Sequence, residues 1–524
     1  MNREKNSFGT GSAKGFELLC NRMVLVLGIL AFLPLVYYSM CYTERFIEGT
    51  EIMQTLRDSV AANLIGLLLF AMILAALRVL MSHMGDRRKL LVRIFKIATL
   101  VYAAIVCIVC VAIVPEQPYA DADILCQVAA LLKEGDYSTM NPPGYMSYNP
   151  HQFGLIFVLQ ILYGIFGQGN YVAFEYLNAL CIPLLVYAGY KILELISENE
   201  VVLIFYCVMM SACLPLFLYV LHVYGEVSST TFCMVLMWQT LRYCKGRSQW
   251  SVLWMILSAV FANMTRMNSM IVVIAVAIVL GIHGITNRRL QVIVVIAGLF
   301  LSVFAVNEGI KKYYEMQTGI EVRKGIPHAS YIMMGLQDTP AGPGWFNGTN
   351  YAELQKYNYE YEPTQKAAMV YIGERITELW EDKAAAADFV KRKLLTQWNA
   401  PDYNVLFTTG SFTCAAEELP AMVHAVYFGN CKAGVEKFMD RYQFVLYVGL
   451  VICLMGLLFR KTPIENQLLL ISMIGGFLFS IMWEAMSRYI LPYMVFSIPL
   501  ASMGLYQLQE AFIKGYNQIR EKRG

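Results

Sequence analysis

The sequence predicts an all-α polytopic membrane protein with about twelve transmembrane helices. Three observations carry that expectation. Hydrophobic residues make up 57% of the 524-residue chain and charged residues only 15%, whereas soluble domains carry roughly 25% charged residues. Apolar runs recur at the length that the hydrocarbon core of a bilayer requires, about 20 residues each. Basic residues cluster between alternate runs, as the positive-inside rule expects. The net charge of +3 is nearly neutral and gives no basis for a nucleic-acid partner.

The candidate spans run near 23–42, 58–81, 94–114, 171–193, 201–221, 227–243, 250–265, 269–285, 290–306, 442–460, 466–484 and 489–508. The N-terminal stretch MNREKNSFGTGSAKGFELLCNR is basic, but the run after it has no small-residue cleavage site, so it reads as a retained first span. Basic clusters fall at Arg3/Lys5/Lys14/Arg22, Arg87/Arg88/Lys89/Arg93, Arg242/Lys245/Arg247, Arg288/Arg289, Arg460/Lys461 and Arg520/Lys522/Arg523. With both termini cytoplasmic, twelve spans place every cluster on the cytoplasmic side. A thirteenth apolar segment, HQFGLIFVLQILYGIFG at 151–167, would invert every later loop if it crossed. It is short and Gly-flanked, which suits a helix lying in the interface or dipping in from outside.

Two stretches then face outward: 115–170, and the longer 307–441, which is rich in Tyr, Trp and Gly. The latter is large enough for a small mixed domain, and its segment KAAAADFVKRKLLTQW reads as an amphipathic helix. Most of the thirteen cysteines lie inside apolar runs. Cys107 and Cys110 form a CxxC there and read as packing residues rather than redox or metal ligands. Cys414 and Cys431 lie outside the spans and would be free to pair in an oxidising compartment.

The chemistry-bearing residues sit at the outward ends of spans. Asp121 and Asp123 open the stretch DADILCQVAALLKEGDY, within about ten residues of the third span's end. On a helix they are about 200° apart, so one cleft takes only one of them comfortably. Either can serve as a general base; the ordinary alternative is a pair of helix-start acids stabilised by the dipole. Glu226 in HVYGEVSST is a second acid at such an end, with His222 and Tyr224 beside it. Arg266 in ANMTRMNSM falls where two apolar runs meet. Arginine at the centre of a span costs about 2.5–3.5 kcal/mol on insertion scales, so a residue placed there calls for an anionic partner such as a phosphate. In WEAMSRYILPY, Glu484 and Arg488 are four apart, the spacing of a helical ion pair. Arg323, Lys324 and His328 make a basic patch in the long outer loop. His151, beside the dipping helix, is an imidazole suited to a metal or a sugar; with the Asp-x-Asp doublet it allows a divalent cation without requiring one.

The order of these parts resembles the GT-C glycosyltransferases, especially the protein O-mannosyltransferase and aminoarabinose-transferase branch. The likeness rests on D-A-D-I-L-C-Q-V-A-A-L-L-K-E-G-D-Y after a span, then Y-N-P-H-Q-F-G from Tyr148 to Gly154, then W-E-A-M-S-R-Y-I-L-P-Y near the end, and it covers roughly 94–508. It implies a GT-C-like bundle with interfacial helices in the first large outer loop. The parts are then a tail and two additional helices at 1–93, the transmembrane module with its catalytic loop 115–170 at 94–306, an extracytoplasmic domain at 307–441, and closing helices with a cytoplasmic tail at 442–524. The implied function is transfer of a sugar from a polyprenyl-phosphate donor to a glycan, lipid or protein acceptor on the outer face of the plasma membrane. The family pattern favours the first acid, Asp121, as base, and leaves Asp123 as a metal or acceptor contact. Glu226, Arg266, Glu484, Arg488, Tyr148, His151, Arg323, Lys324 and His328 are the expected substrate contacts. No glycine-rich phosphate loop points to a nucleotide sugar. The rival reading is a transporter or flippase; against it, no two halves match and the charges gather at span ends rather than at mid-membrane.

Overall fold

The computed structural model describes residues 2–47, 49–246, 248 and 250–521, with side chains from residue 13 onward. Of the basic clusters, Arg247, Lys522 and Arg523 lie outside the described residues, as do the side chains of Arg3 and Lys5.

Among the described residues, nine helices are long and apolar enough to cross a membrane. They are Ala13–Cys41, Val60–His83, Gly85–Ile113, Val172–Ile196, Met267–Asn287, Gln291–Thr318, Lys432–Leu458, Ile464–Met482 and Ser487–Glu521. A tenth is formed if Glu200–Ser211 and Leu214–Leu221, bent by 53°, count as one broken span. Pro215, in the first turn after the break, lacks the N–H that would continue the ladder. The apolar surface is turned outward: in Val60–His83 only 17% of the most apolar stretch is buried inside the protein, the exposure expected where lipid is the solvent.

Every run expected to span is helical, but two are too polar or too short to cross by length and composition alone. Glu226–Cys244 begins with Glu226 and a Ser-Ser-Thr-Thr stretch, whose Thr230 and Thr231 hydroxyls donate to the carbonyls of Glu226 and Val227 (2.6 and 2.8 Å). Ser251–Thr265 has fifteen residues, about 22 Å of helix against a core of roughly 30 Å. The two pack side by side within the bundle. The segment at 151–167 is a helix too short to cross, Pro150–Phe166.

The long stretch 307–441 is helical rather than mixed. The Gln291–Thr318 helix runs into it, followed by His328–Gly335, Thr349–Lys356, Tyr361–Glu381, Lys383–Trp398 and Ala421–Tyr427. Isolated bridges tie it to other parts, Phe412 to Glu116 and Trp345 to Ala485. The amphipathic segment is the helix Lys383–Trp398, capped by the Asp382 carboxylate. Its last residue, Trp398, is 1% exposed and packs among Phe32, Phe477 and Tyr493. The indole N–H donates to Ser480 Oγ (3.0 Å), so this loop is anchored inside the bundle.

An unexpected antiparallel ribbon, Tyr42–Phe46 with Met53–Arg57, joins the first two long helices. Glu44 N–H donates to the Asn399 carbonyl (3.0 Å) and Met53 N–H to that of Ala341 (3.0 Å). Arg45 reaches Glu436 and Asp440, both at 2.5 Å. The first helix also packs on Lys432–Leu458 and Ile464–Met482, so the added N-terminal helices are built into the bundle.

Candidate functional site

The site forms where helices break or begin. Tyr224-Gly225 turns the chain into the helix that starts at Glu226; Gly225 has φ 98°, and a Cβ there would run into the Thr265 carbonyl. A side chain is excluded at this position by both sterics and backbone conformation. Asn178 holds the preceding residues by donating to the carbonyls of Val220 and His222 (3.1 and 3.0 Å). Arg266 occupies the extended break after Ser251–Thr265. Ala120, at φ 52°, turns the chain into the helix Asp121–Glu134, which ends at left-handed Gly135.

Three charged groups form the floor. Arg266 Nη1 lies 2.5 Å from Glu226 Oε1, and Arg488 Nε lies 3.8 Å from the same oxygen. Both guanidiniums stack on the same two rings: Arg266 at 5.4 Å from Tyr224 and 5.0 Å from Tyr489, Arg488 at 4.9 and 5.6 Å. Such cation–π contacts strengthen where water is excluded. His222 Nε2 sits 3.7 Å from the other Glu226 oxygen, and burial pushes its pKa down to about 4, so at neutral pH it is an uncharged imidazole.

Two further carboxylates reach the same tyrosines. Tyr489 O–H donates to Glu484 Oε1 (3.1 Å), and Tyr224 O–H points to Asp121 Oδ2 at 3.4 Å while accepting from Gln152 Nε2 (2.7 Å). Burial pushes the Glu484 carboxyl up to about 7, against the pull of Arg488 and the Tyr489 hydroxyl. The expected helical pair of Glu484 with Arg488 does not form. The chain leaves the helix at Trp483, and Ala485 N–H donates to the Gly344 carbonyl (2.8 Å), so the spacing of four is not a helical one.

Arg266, the two tyrosines, Asp121 and Glu484 border a cavity of about 980 Å³, at the upper end for small-molecule sites. Asp121, Tyr148, His151, Arg266, Lys324, His328 and Glu484 line it. Glu226 and Arg488 stand behind that lining and act through Arg266 and the two tyrosines. Asp123 and Arg323 lie outside it. Asp123 accepts from Gln127 Nε2 (2.8 Å) on another face of its helix, as the 200° separation requires. Lys324 faces the cavity but is tied to Glu362 (2.6 Å). His151 opens to the cavity, where it is exposed, with His328 and Arg266 nearby. Among the described residues no group of three His, Cys, Asp or Glu is placed to hold a metal ion. Cys414 and Cys431 are both free thiols.

Several cavity features carry no local sequence signal. Helices beginning at Asp121, Phe153, Glu226, Met270 and Leu491 all start at or beside its wall, which puts the positive ends of their dipoles close to it. Tyr145, Tyr331, Tyr351 and Trp483 add rings. Buried Lys393 donates to the carbonyls of Gly335 (2.5 Å) and Trp483 (2.7 Å), pinning the segment that carries Glu484. A lysine in the amphipathic KRK run gave no sign of this inward role.

A family profile described as conserved hypothetical integral membrane protein matches residues 19–508. No curated protein and no solved structure matches the chain.

Proposed function

The chain belongs to the family of conserved hypothetical integral membrane proteins, and on that premise we propose that it is a membrane glycosyltransferase of the GT-C kind. It moves a sugar from a polyprenyl-phosphate donor to an acceptor hydroxyl on the extracytoplasmic face of the plasma membrane. The observation that carries this reading is one cavity that joins a carboxylate base to an arginine floor. Asp121 meets Tyr224 there, and the same ring packs under Arg266 and Arg488. In this reading all twelve expected segments cross the bilayer, the bent pair and the two substandard helices included, with both termini cytoplasmic.

The step proposed is an inverting displacement. The acceptor oxygen bonds to the anomeric carbon as the bond from that carbon to the phosphate oxygen breaks. The phosphate leaves with the electron pair, and the acceptor proton passes to Asp121. Arg266 and the helix N-termini stabilise the charge that grows on the phosphate, with Arg488 reinforcing the field from behind.

The test is transfer of radiolabelled sugar from synthetic polyprenyl-phosphate donors by the purified protein. Asp121→Asn should lower the rate by about 10²–10⁴ with donor binding retained, the usual weight of a positioned base. Asp123→Asn should stay near wild type. Transfer that survives Asp121→Asn removes the base, and donor movement across vesicles without bond formation favours the transporter or flippase.

A further inference from the structure

Above the charged floor, much of the cavity wall is aromatic. Tyr331 lies stacked on Trp483, with centroids 5.1 Å and planes 10° apart, and Tyr148 meets Tyr351 at 4.6 Å. Phe346 lines the same cavity and is 54% exposed, so its ring is open to a ligand. Tyr331, Phe346 and Tyr351 all come from the long loop segment, which the Trp398 anchor and the Trp345–Ala485 bridge hold over the site.

Neutral amides stand between the rings. Asn149 accepts from the Tyr331 hydroxyl (3.2 Å), and Asn350 lines the cavity near Tyr351. The cations of this region are already matched by acids: Lys324 pairs with Glu362 at 2.6 Å and Lys311 with Glu308 at 2.7 Å. The floor differs, because there two arginines share one glutamate. One cavity therefore has a floor crowded with charges of both signs, where Asp121 and Glu484 join the arginines, and a wall of rings and amides whose lysines are each paired with an acid.

We infer that this wall is an acceptor subsite for an uncharged glycan chain. A pyranose presents a face of C–H bonds and a rim of hydroxyls. The electron-rich faces of Tyr and Trp attract the first, and side-chain amides can donate to or accept from the second. An acidic polymer would find no unpaired cation among Lys324 and Lys311. The acceptor role rests on the transferase reading above; the binding of glycan does not.

The experiment is an array of neutral oligosaccharides, acidic oligosaccharides and Ser/Thr-rich peptides, probed with the full-length protein in detergent. Neutral oligosaccharides should bind. Tyr351→Ala and Trp483→Ala should each weaken that binding roughly fivefold to tenfold, and Tyr351→Phe, which keeps the ring face, should retain it. Phe346→Ala, at an exposed position, supplies a variant whose folding is not at risk and should weaken binding in the same direction. Asp123→Asn, outside the cavity, should bind glycan as wild type does. Capture of only acidic glycans or peptides, capture of nothing, or neutral binding indifferent to Tyr351→Ala and Phe346→Ala overturns the inference. Sugar transfer without glycan binding spares the transferase reading and sinks this one; glycan binding without any transfer sinks the transferase reading and the acceptor role with it, and leaves the glycan subsite standing.

Discussion

Glu226→Gln removes the acid that two buried guanidiniums share. At an effective dielectric constant of about 20, a separation of 2.5 Å corresponds to about 7 kcal/mol of attraction to Arg266, and 3.8 Å to about 4 kcal/mol to Arg488. Desolvating three ions offsets most of this, at several kcal/mol each. What the variant measures is the cost of leaving two buried cations without their anion, about 3–5 kcal/mol for a broken buried pair. The value should fall at the lower end, because the glutamine oxygen still accepts from Arg266. The assay is thermal unfolding in detergent at low ionic strength, repeated with inorganic phosphate. An anion that binds only the folded state stabilises by RT ln(1 + [L]/Kd), so phosphate should raise the melting temperature of Glu226→Gln more than that of wild type. A variant that melts like wild type, or phosphate shifts of equal size in both, would refute the shared-anion floor.

Glu484 gives a pH signature. Its folded pKa of about 7 stands above the ordinary 4.5, so its contribution to stability is full below about pH 4.5 and is lost as pH climbs through about 7. The loss is about 3 kcal/mol, at 1.36 kcal/mol per unit, and Glu484→Gln should flatten that part of the stability curve; a curve of unchanged shape between pH 5 and 8 counts against it. Lys393 works in the opposite sense, since burial pulls its ammonium down to about 7 and stability should recover as pH rises from there toward the ordinary lysine range. Lys393→Met orphans the carbonyls of Gly335 and Trp483, at about 1–3 kcal/mol for each buried group left unpaired; hydrogen exchange should show Trp483–Ala485 loosened, and native protection would exclude the pinning role. Gly225→Ala should cost about 1–3 kcal/mol from backbone conformation alone, with the Thr265 clash in addition, and a wild-type melting temperature would show that the turn tolerates a side chain.

Much of the helical fold was legible because a bilayer leaves the backbone few choices. An apolar run of about 20 residues has to satisfy its own hydrogen bonds, so it becomes a helix wherever it sits. Crossing was harder to read. Glu226–Cys244 is polar in its first turns and Ser251–Thr265 is short, and tertiary partners rather than lipid cover much of both. The ribbon at Tyr42–Arg57 was invisible because TERF and MQTLR carry no clean apolar alternation; its strands hold through Arg45 with Glu436 and Asp440, nearly four hundred residues away. The Tyr- and Gly-rich composition of 307–441 suggested a mixed domain. Its aromatics instead serve as anchors and cavity wall on helices and their connections.

The site was legible to the extent that topology could be read. The helices Gly85–Ile113, Ser251–Thr265 and Ile464–Met482 and the bent pair all run toward the cavity, and the chain turns back just beyond each. Asp121, Glu226, Arg266, Glu484 and Arg488 sit at those reversals. A charge at a reversal avoids the apolar interior, so its appearance beside an apolar run marks a chain end, and alternate reversals share a face wherever the segments between them cross. Reversal alone would leave these residues on a common surface, spread among separate helix ends. Their convergence needs contacts that no spacing announces: Tyr224 and Tyr489 as common platforms for two arginines, and Ala485 paired with Gly344 so that the Glu484 segment leaves its helix. That second contact is also why the spacing of four misled. The i,i+4 rule applies only while the helix continues, and here the backbone found a better partner in a loop more than a hundred residues earlier.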